Sequence, residues 1–235
     1  MGNINTGFVS VRDTWLWWSS GKDSAWSLHV LNSEKRYRVT GLVTTINAAF
    51  HRVAMHGVRE SILAVQARRS GLPLHLASLP YPCPNGAYEA AFEASVAAAR
   101  RARVSCMAFG DLFLEDVRDY RLGLLADSGI QALFPLWGQP TAALARSMIA
   151  GGLKARVTCV DPQQLPGTFA GRSYDEAFLS DLPGNVDPCG ENGEFHTCTI
   201  AGPMFDRPIA VTTGEVVERD GFVFSDLLLA TDSDV

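Results

Sequence analysis

The chain has 235 residues, of which 47% are apolar and 19% charged, and its mean hydropathy is +0.06. This length and composition allow one large domain or two small ones with a buried core, and they exclude a disordered chain and a collagen-like fibre. No apolar run approaches the roughly 18 residues that a membrane span needs, so no membrane partner is expected.

The net charge of −5 is unevenly distributed along the chain. Residues 1–160 carry 17 Lys/Arg and 11 Asp/Glu, which gives +6, whereas residues 161–235 carry 3 and 14, which gives −11. A basic first part suits a phosphate ligand, and an acidic second part is poorly suited to direct contact with nucleic acid. A solvated surface with an acidic tail explains the same division.

Short apolar runs alternate with helical stretches through the first two-thirds of the chain. This alternation predicts a parallel sheet with helices on both faces. The predicted strands are 15–18, 39–46, 74–78, 104–109 and 132–135, and the predicted helices are 23–32, 58–70, 88–103, 122–128 and 141–151.

The composition of the chain changes after a β-rich segment at 157–160. Gly and Pro become frequent from 162 to 203, and two further β-rich segments, 209–218 and 222–229, are joined by the hairpin-turn pair Asp220-Gly221. We therefore predict an α/β fold: a doubly wound parallel sheet of Rossmann type with a smaller C-terminal α+β part. The expected divisions are a nucleotide-binding domain over 1–137, a substrate-binding part over 138–230 and a disordered tail over 231–235.

Cysteine usage and the first residues bear on the compartment. The five cysteines are odd in number and no pair has C-x-x-C spacing, so neither a disulfide framework nor a zinc or iron–sulfur site is indicated. Residues 1–6 match a loose myristoylation pattern that often arises by chance, and the first apolar stretch is too short for a signal peptide. We expect a cytoplasmic protein.

The most informative segment is Ser19-Ser20-Gly21-Lys22-Asp23-Ser24, between the first predicted strand and the first predicted helix. At this position of a doubly wound sheet, small residues and a helix N-terminus can bind a phosphate group. The hydroxyls add donors and Lys22 adds charge, while Asp23 can cap the helix or help to hold Mg²⁺. An ordinary Ser/Gly-rich turn with an Asp N-cap is the alternative.

This segment resembles the PP-loop, S-G-G-x-D-S, of the adenine nucleotide alpha hydrolase-like ATP pyrophosphatases. Ser20 stands where the motif has its first Gly, and a positive φ there would strain a serine. Met55-His56-Gly57 and Gly110-Asp111-Leu112 are similar to the M-H-G and G-D-[IL] motifs of the diphthine–ammonia ligase (diphthamide synthetase) family. Residues 190–197, Gly-Glu-Asn-Gly-Glu-Phe-His-Thr, resemble that family's G-E-N-G-E-F-H-T motif, so the resemblance extends over roughly residues 14–205.

The resemblance implies a PP-loop/HUP-like fold and an ATP-dependent carbon–nitrogen ligase. ATP is cleaved between its α- and β-phosphates, a carboxylate is adenylated, and ammonia then yields an amide and AMP. The residues that this assigns to ATP are Ser19, Ser20, Gly21, Lys22, Asp23, Ser24 and Gly110, with Asp23 and Asp111 for Mg²⁺. Those assigned to catalysis are Asp23, Asp111, Glu191, Glu194 and His196, and those assigned to the substrate are Gly190, Glu191, Asn192, Glu194, His196 and Thr197.

From the residues alone, several alternatives stay open. Asp111 also suits a turn after a strand, and 190–197 also suits an exposed polar loop. If a strand begins at Phe195, Glu194 and His196 project to one face, where His196 can act as a base toward ammonium. His56 lies either near the adenine or ribose or in a surface loop, and Cys189 is a candidate nucleophile with no assigned base.

The acceptor is equally open. The family acts on a modified histidine of translation elongation factor 2, and the acidic second part suits that cationic group, but a small-molecule carboxylate fits as well. Two other functions compete with the ligase: a PP-loop enzyme that modifies RNA, and a non-catalytic or weakly hydrolytic ATP-binding protein, for which Ser20 is the best support. Self-association into a homodimer is also left open.

Overall fold

The computed structural model describes residues 10–230. Its first sheet contains five parallel strands in the order β4-β2-β1-β5-β6. A two-residue strand, β3, pairs antiparallel with the end of β2. The strands are β1 (Arg12–Trp17), β2 (Tyr37–Asn47), β3 (Arg52–Val53), β4 (Leu74–Leu79), β5 (Cys106–Ala108) and β6 (Gln131–Leu133).

Helices cover both faces of this sheet. Successive side chains of β1 point to opposite faces, and they belong to two different apolar clusters. Leu16 belongs to a cluster shared with the first, second and fifth helices, whereas Trp15 and Trp17 belong to one shared with the third and fourth. The doubly wound arrangement is therefore confirmed. The helices are α1 (Lys22–Ser33), α2 (Glu60–Ser70), α3 (Asn85–Arg101), α4 (Glu115–Leu125) and α5 (Thr141–Ala150).

The second sheet is antiparallel throughout, in the order β8-β7-β10-β9. A 3-10 helix over Gly167–Phe169 and a short helix, α6 (Glu176–Asp181), connect β7 to β8. Asp220 and Gly221, with φ of 52° and 82°, form the predicted hairpin turn between β9 and β10. The strands are β7 (Lys154–Val160), β8 (Phe195–Ala201), β9 (Val211–Arg219) and β10 (Phe222–Leu229).

The two sheets share one apolar core. The cluster around Leu16 continues through Val157 and Phe195 to Leu227, so burial does not stop at residue 137. Backbone bonds also join the parts, since the Thr199 N–H donates to the Ser20 carbonyl at 2.9 Å. The division at 137/138 remains a prediction.

Several element bounds differ from those predicted. α4 begins at Glu115 rather than 122 because its first turns are acidic and exposed and carry no apolar repeat. β8 and α6 were not predicted as elements, because the frequent Gly and Pro of 162–203 are typical of loops. The myristoylation pattern at 1–6 and the tail at 231–235 lie outside the described residues. Within 10–230, no helix is long and apolar enough to cross a membrane.

Candidate functional site

The loop over residues 19–24 follows β1 at the carboxyl end of the parallel sheet and leads into α1. Its own hydroxyls hold it: the Gly21 N–H donates to Ser19 Oγ at 3.3 Å, and Ser24 Oγ donates to the Gly21 carbonyl at 3.0 Å. Gly21, the N-cap of α1, has no side-chain cap bond. The positive end of the α1 dipole and two serine hydroxyls thus lie together, as an anion-binding loop requires.

Ser20 faces away from this surface. It has φ of 73°, the left-handed conformation, and its buried Oγ points to Cys198 Sγ at 3.5 Å. Its carbonyl accepts from the Gln66 side chain at 3.1 Å. Position 20 therefore does take the positive φ that the motif comparison raised. The serine side chain packs in the core and does not face a ligand at the loop.

A cavity of about 530 Å³, the phosphate cavity, opens over the loop and has walls from both sheets. Ten of the predicted site residues line it: Ser19, Lys22, Asp23, Ser24, Gly110, Asp111, Gly190, Glu191, His196 and Thr197. Four do not: Ser20, Gly21, Asn192 and Glu194. Gly110 also has a packing role, since a Cβ there would lie 3.0 Å from the Ser24 backbone nitrogen.

Three carboxylates face the phosphate cavity. Asp23 Oδ2 accepts from Lys22 Nζ at 2.9 Å, while its Oδ1 is buried without a hydrogen-bond partner among the described residues. Asp111 Oδ2 lies 3.6 Å from the Arg121 guanidinium. Burial raises the pKa of both aspartates, although the neighbouring cations oppose it. Both groups are therefore easier to protonate than an exposed aspartate.

Glu191 is the third carboxylate. It accepts from the Leu112 N–H at 2.6 Å, which ties the loop after β5 to the loop before β8. Burial raises the pKa of Glu191 to about 7; the Leu112 N–H opposes this rise, and the charge of Asp23 adds to it. A carboxyl group with this pKa exchanges protons near neutral pH, as a general base must.

Lys22 lies between these acids. Its ammonium donates to Asp23 and to the Cys189 carbonyl, and it sits 5.3 Å from the centre of the Phe195 ring. Burial alone would lower the pKa of Lys22, but Asp23 and the other acidic groups outweigh it and the pKa is raised. Lys22 therefore stays charged in the cavity wall.

Glu194 and Asn192 stabilise the loop that carries Glu191. Glu194 Oε1 accepts from the Asp187 N–H and from Asn192 Nδ2, both at 2.9 Å. Asp187 Oδ2 in turn accepts from the Glu191 N–H at 3.0 Å. Glu194 precedes β8 and bends back into its own loop, so it is not among the cavity-lining residues with His196.

Two histidines form part of the wall, with ring centres 4.7 Å apart. His56 Nδ1 donates to the Thr197 carbonyl at 2.9 Å, so Nε2 carries the free lone pair. Burial lowers the pKa of His56 to about 4, and burial together with His56 lowers the pKa of His196 well below its usual value. Both rings are neutral at pH 7 and can accept a hydrogen bond from a ligand.

His56 and Arg121 are cavity residues outside the predicted site set. The sequence left His56 either near the adenine or ribose or in a surface loop, and it lies in the cavity wall. The Met55-His56-Gly57 motif was the available signal for His56. Arg121 had none, because the predicted helix began one residue after it. Cys189 is 1% exposed, and burial raises the pKa of its thiol to about 12, which opposes a role as a nucleophile.

Within residues 10–230, no group of three or more His, Cys, Asp or Glu side chains is placed to hold a metal ion. Mg²⁺, however, commonly takes one or two protein carboxylates and completes its shell with phosphates and water. The buried Asp23 Oδ1 fits that role. Asp111 fits it less well while Arg121 is its partner.

Fold and cavity together define an α/β protein with a Rossmann-like core, in which a C-terminal antiparallel sheet completes the cavity at the carboxyl ends of the parallel strands. Residues 140–225 match the family model of the diphthamide synthase C-terminal domain. Over this segment the chain is similar to that family.

Similar curated proteins carry the name diphthine–ammonia ligase. The human protein is 33% identical over 101 residues, the zebrafish (Danio rerio) protein 34% over 101, and that of Schizosaccharomyces pombe 31% over 95. The alignments cover 41%, 41% and 39% of this chain, in the same order. They span 38%, 40% and 16% of those proteins, so less than half of each relative is represented.

Proposed function

We propose that the protein is an ATP-dependent ligase that converts a carboxylate into an amide with ammonium as the nitrogen source. The observation that carries this proposal is the meeting of the loop over 19–24 with Glu191 and His196 in one cavity. An anion-binding helix N-terminus there faces a group that titrates near pH 7. These are the two requirements of phosphate activation followed by attack of an amine.

In the first step, a carboxylate oxygen of the acceptor attacks the α-phosphorus of ATP. The bond from that phosphorus to the oxygen bridging to the β-phosphate breaks, and pyrophosphate leaves. Ser19, Ser24 and the end of α1 would bind the phosphates, and Lys22 would oppose the charge that develops on them. Mg²⁺, when bound with Asp23 as a donor, would neutralise further phosphate charge.

In the second step, ammonia attacks the acyl carbon, the bond to the AMP oxygen breaks, and a proton leaves the nitrogen. Ionised Glu191 would take that proton. His56 Nε2 and His196, both neutral, would accept hydrogen bonds from the incoming ammonia. The products are an amide, AMP and pyrophosphate.

The proposed ligase also accounts for the expected reactants, partners and cellular setting. ATP, ammonium and a carboxylate-bearing acceptor are the reactants, and no direct contact with nucleic acid or a membrane is required in a cytoplasmic setting. Ser20 lends little support to a non-catalytic ATP-binding protein, because its side chain packs against Cys198 and not along the cavity.

The test is to incubate the purified protein with ATP, MgCl₂, ¹⁵N-ammonium and a panel of carboxylic acids. We expect acid-dependent release of AMP and pyrophosphate in equal amounts, and ¹⁵N in the amide by mass spectrometry. Ser24→Ala should raise KM for ATP at least tenfold. Ser27→Ala, in the same helix and with a buried hydroxyl that has no partner among the described residues, is the matched control. ATP binding without acid-dependent pyrophosphate release, for every acid tried, would reject the ligase.

A further inference from the structure

A second cavity, of about 450 Å³, adjoins the phosphate cavity. It lies between the ends of β2 and β4 on one side and the β9–β10 hairpin on the other. The two cavities share five lining residues, Val53, Ala54, Met55, Leu79 and Cys83. Met55 at this junction is 58% exposed, so its side chain has room to move aside.

The walls of the second cavity are mainly apolar, and several are aromatic. Phe50 and Tyr81 meet edge to face, with ring centres 5.0 Å apart, and Phe222 and Phe224 come from the opposite side. Such surfaces bind the uncharged, flat or aliphatic body of a ligand by removing it from water.

The charged residues of this cavity give no advantage to a cation. Two arginines, Arg52 and Arg219, and two aspartates, Asp220 and Asp226, line it, so their formal charges cancel. Asp226 is held by Arg52 at 2.8 Å and by Arg59 at 2.6 Å. Asp220 accepts from the Tyr81 hydroxyl at 2.8 Å. Both carboxylates therefore already have partners, so neither is free to pair with a cationic ligand.

Acyl adenylation needs ATP and the acid side by side. The phosphate cavity has the loop and the volume for the nucleotide, and the second cavity opens onto it at the five shared residues. We propose that this second cavity, the acceptor cavity, binds the uncharged apolar body of a monocarboxylic acid whose carboxyl group enters the phosphate cavity past Met55. This inference rests on the proposed function, and it names the substrate class.

The test is a direct binding measurement, which does not depend on turnover. The full chain, saturated with α,β-methylene-ATP, is titrated in a calorimeter with phenylbutyrate, with butyrate and with phenyltrimethylammonium. We expect phenylbutyrate to bind at least tenfold more tightly than butyrate, because only the former has a ring to bury. Phenyltrimethylammonium should bind at least tenfold more weakly than phenylbutyrate.

Two adjacent valines of β9 give a matched pair of variants. Val217 lines the acceptor cavity and Val216 does not, and both are exposed, so each tolerates a polar side chain. Val217→Glu should weaken phenylbutyrate binding at least tenfold, and Val216→Glu should leave it within twofold. Neither should change the affinity for α,β-methylene-ATP.

Three results would overturn the inference. They are no phenylbutyrate binding to a protein that binds the nucleotide, equal losses in the two valine variants, and preference for the ammonium compound. A loss of nucleotide affinity in Val217→Glu would assign the cavity to ATP instead and also overturn it. Failure of the proposed ligase function has a different result. The protein would then bind both phenylbutyrate and α,β-methylene-ATP but show no acid-dependent release of pyrophosphate from ATP.

Discussion

The two sheets reach the phosphate cavity by different routes. The parallel sheet contributes loops that follow strand ends, residues 19–24 after β1 and 110–112 after β5, and these present a helix N-terminus and hydroxyls. The antiparallel sheet contributes β8 itself and the loop before it, where Glu191 and His196 have pKa values far from their usual ones. Under the proposed function, the first region binds the phosphates and the second exchanges or accepts protons. Substitutions in the first should therefore change nucleotide binding, and those in the second should change the chemical step.

The largest effect is expected at Gly21. A Cβ there would lie 2.6 Å from His56 Cε1 and 3.2 Å from the Thr197 carbonyl oxygen. Gly21→Val must therefore displace the loop or the His56 ring, and each hydrogen bond that the loop loses to a charged phosphate costs about 1.5–3 kcal/mol. We expect ATP affinity, measured by calorimetry, to fall by about 100-fold.

Gly86 provides the control for that change. A Cβ at Gly86 meets no heavy atom within 4 Å, and the residue lies in α3. Gly86→Ala should leave ATP affinity unchanged and stabilise the fold by about 0.5–1 kcal/mol. Wild-type ATP affinity in Gly21→Val would show that the loop does not need its contact with β8.

Glu191→Gln tests the other region. If Glu191 accepts the proton of the attacking ammonia, kcat should fall by about 100-fold or more while the dissociation constant for ATP stays within about threefold. The rise of wild-type activity through pH 7, set by the Glu191 pKa of about 7, should disappear in the variant. Steady-state rates between pH 5.5 and 8.5 provide the measurement. A parallel loss of ATP affinity would instead assign Glu191 to nucleotide binding.

The same substitution changes stability in a direction fixed by linkage. Folding raises the pKa of Glu191 from 4.5 to about 7, so its contribution favours the native state below pH 4.5 and is lost as pH rises through 7. Relative to wild type, Glu191→Gln should therefore gain free energy of unfolding between pH 5 and pH 8, by about 1–3 kcal/mol. An equal difference at both pH values would contradict the raised pKa.

A smaller effect should come from the bond between the two regions. Thr197 Oγ1 accepts the Lys22 N–H of α1 at 3.1 Å, and Thr197 is buried. Thr197→Val leaves that N–H unpaired, so we expect the free energy of unfolding in urea to fall by about 1–3 kcal/mol.

Thr199, two residues along β8, is equally buried, but its Oγ1 has no partner among the described residues. Thr199→Val removes a polar group that burial already penalises, and it should be neutral or stabilise the fold by up to about 1 kcal/mol. An equal fall in the free energy of unfolding for Thr197→Val and Thr199→Val would show that the bond to the Lys22 N–H does not join the sheets.

The sequence predicted the loop over 19–24 better than the antiparallel region. The loop is formed by consecutive residues, whereas the antiparallel region depends on contacts between residues far apart in the chain. The loop over 19–24 is contiguous, and its position between an apolar run and a helix is enough to place it at the strand end. Ser20 was flagged for a positive φ, but its orientation into the core depends on Cys198, which is 178 residues away. Local pattern carries no information on such a pair.

The antiparallel region shows the opposite case. Glu191 and His196 were predicted as site residues from the resemblance, but no spacing rule places Glu191 on the Leu112 N–H or His56 against Thr197. Glu194 was expected beside His196, since alternate residues of a strand share a face. It bends away because β8 begins one residue later and the Asp187 and Asn192 donors hold its carboxylate. Arg121 enters the cavity only because α4 packs against α3 and β6.

The smallest effect is expected at Cys189, although it lies between the two regions. Its carbonyl holds Lys22, but its thiol points to the Thr141 carbonyl at 3.5 Å, and burial raises the thiol pKa to about 12. At neutral pH the thiol is protonated and a poor nucleophile. Cys189→Ser keeps a donor for Thr141 and leaves the Cys189 carbonyl in place, so kcat and KM for ATP should both stay within about threefold. Alkylation should instead modify Cys83, the exposed one of the five cysteines. An acyl group trapped on Cys189, or inactivity of a folded Cys189→Ser protein, would place nucleophilic chemistry in the antiparallel region and replace Glu191 as its reactive group.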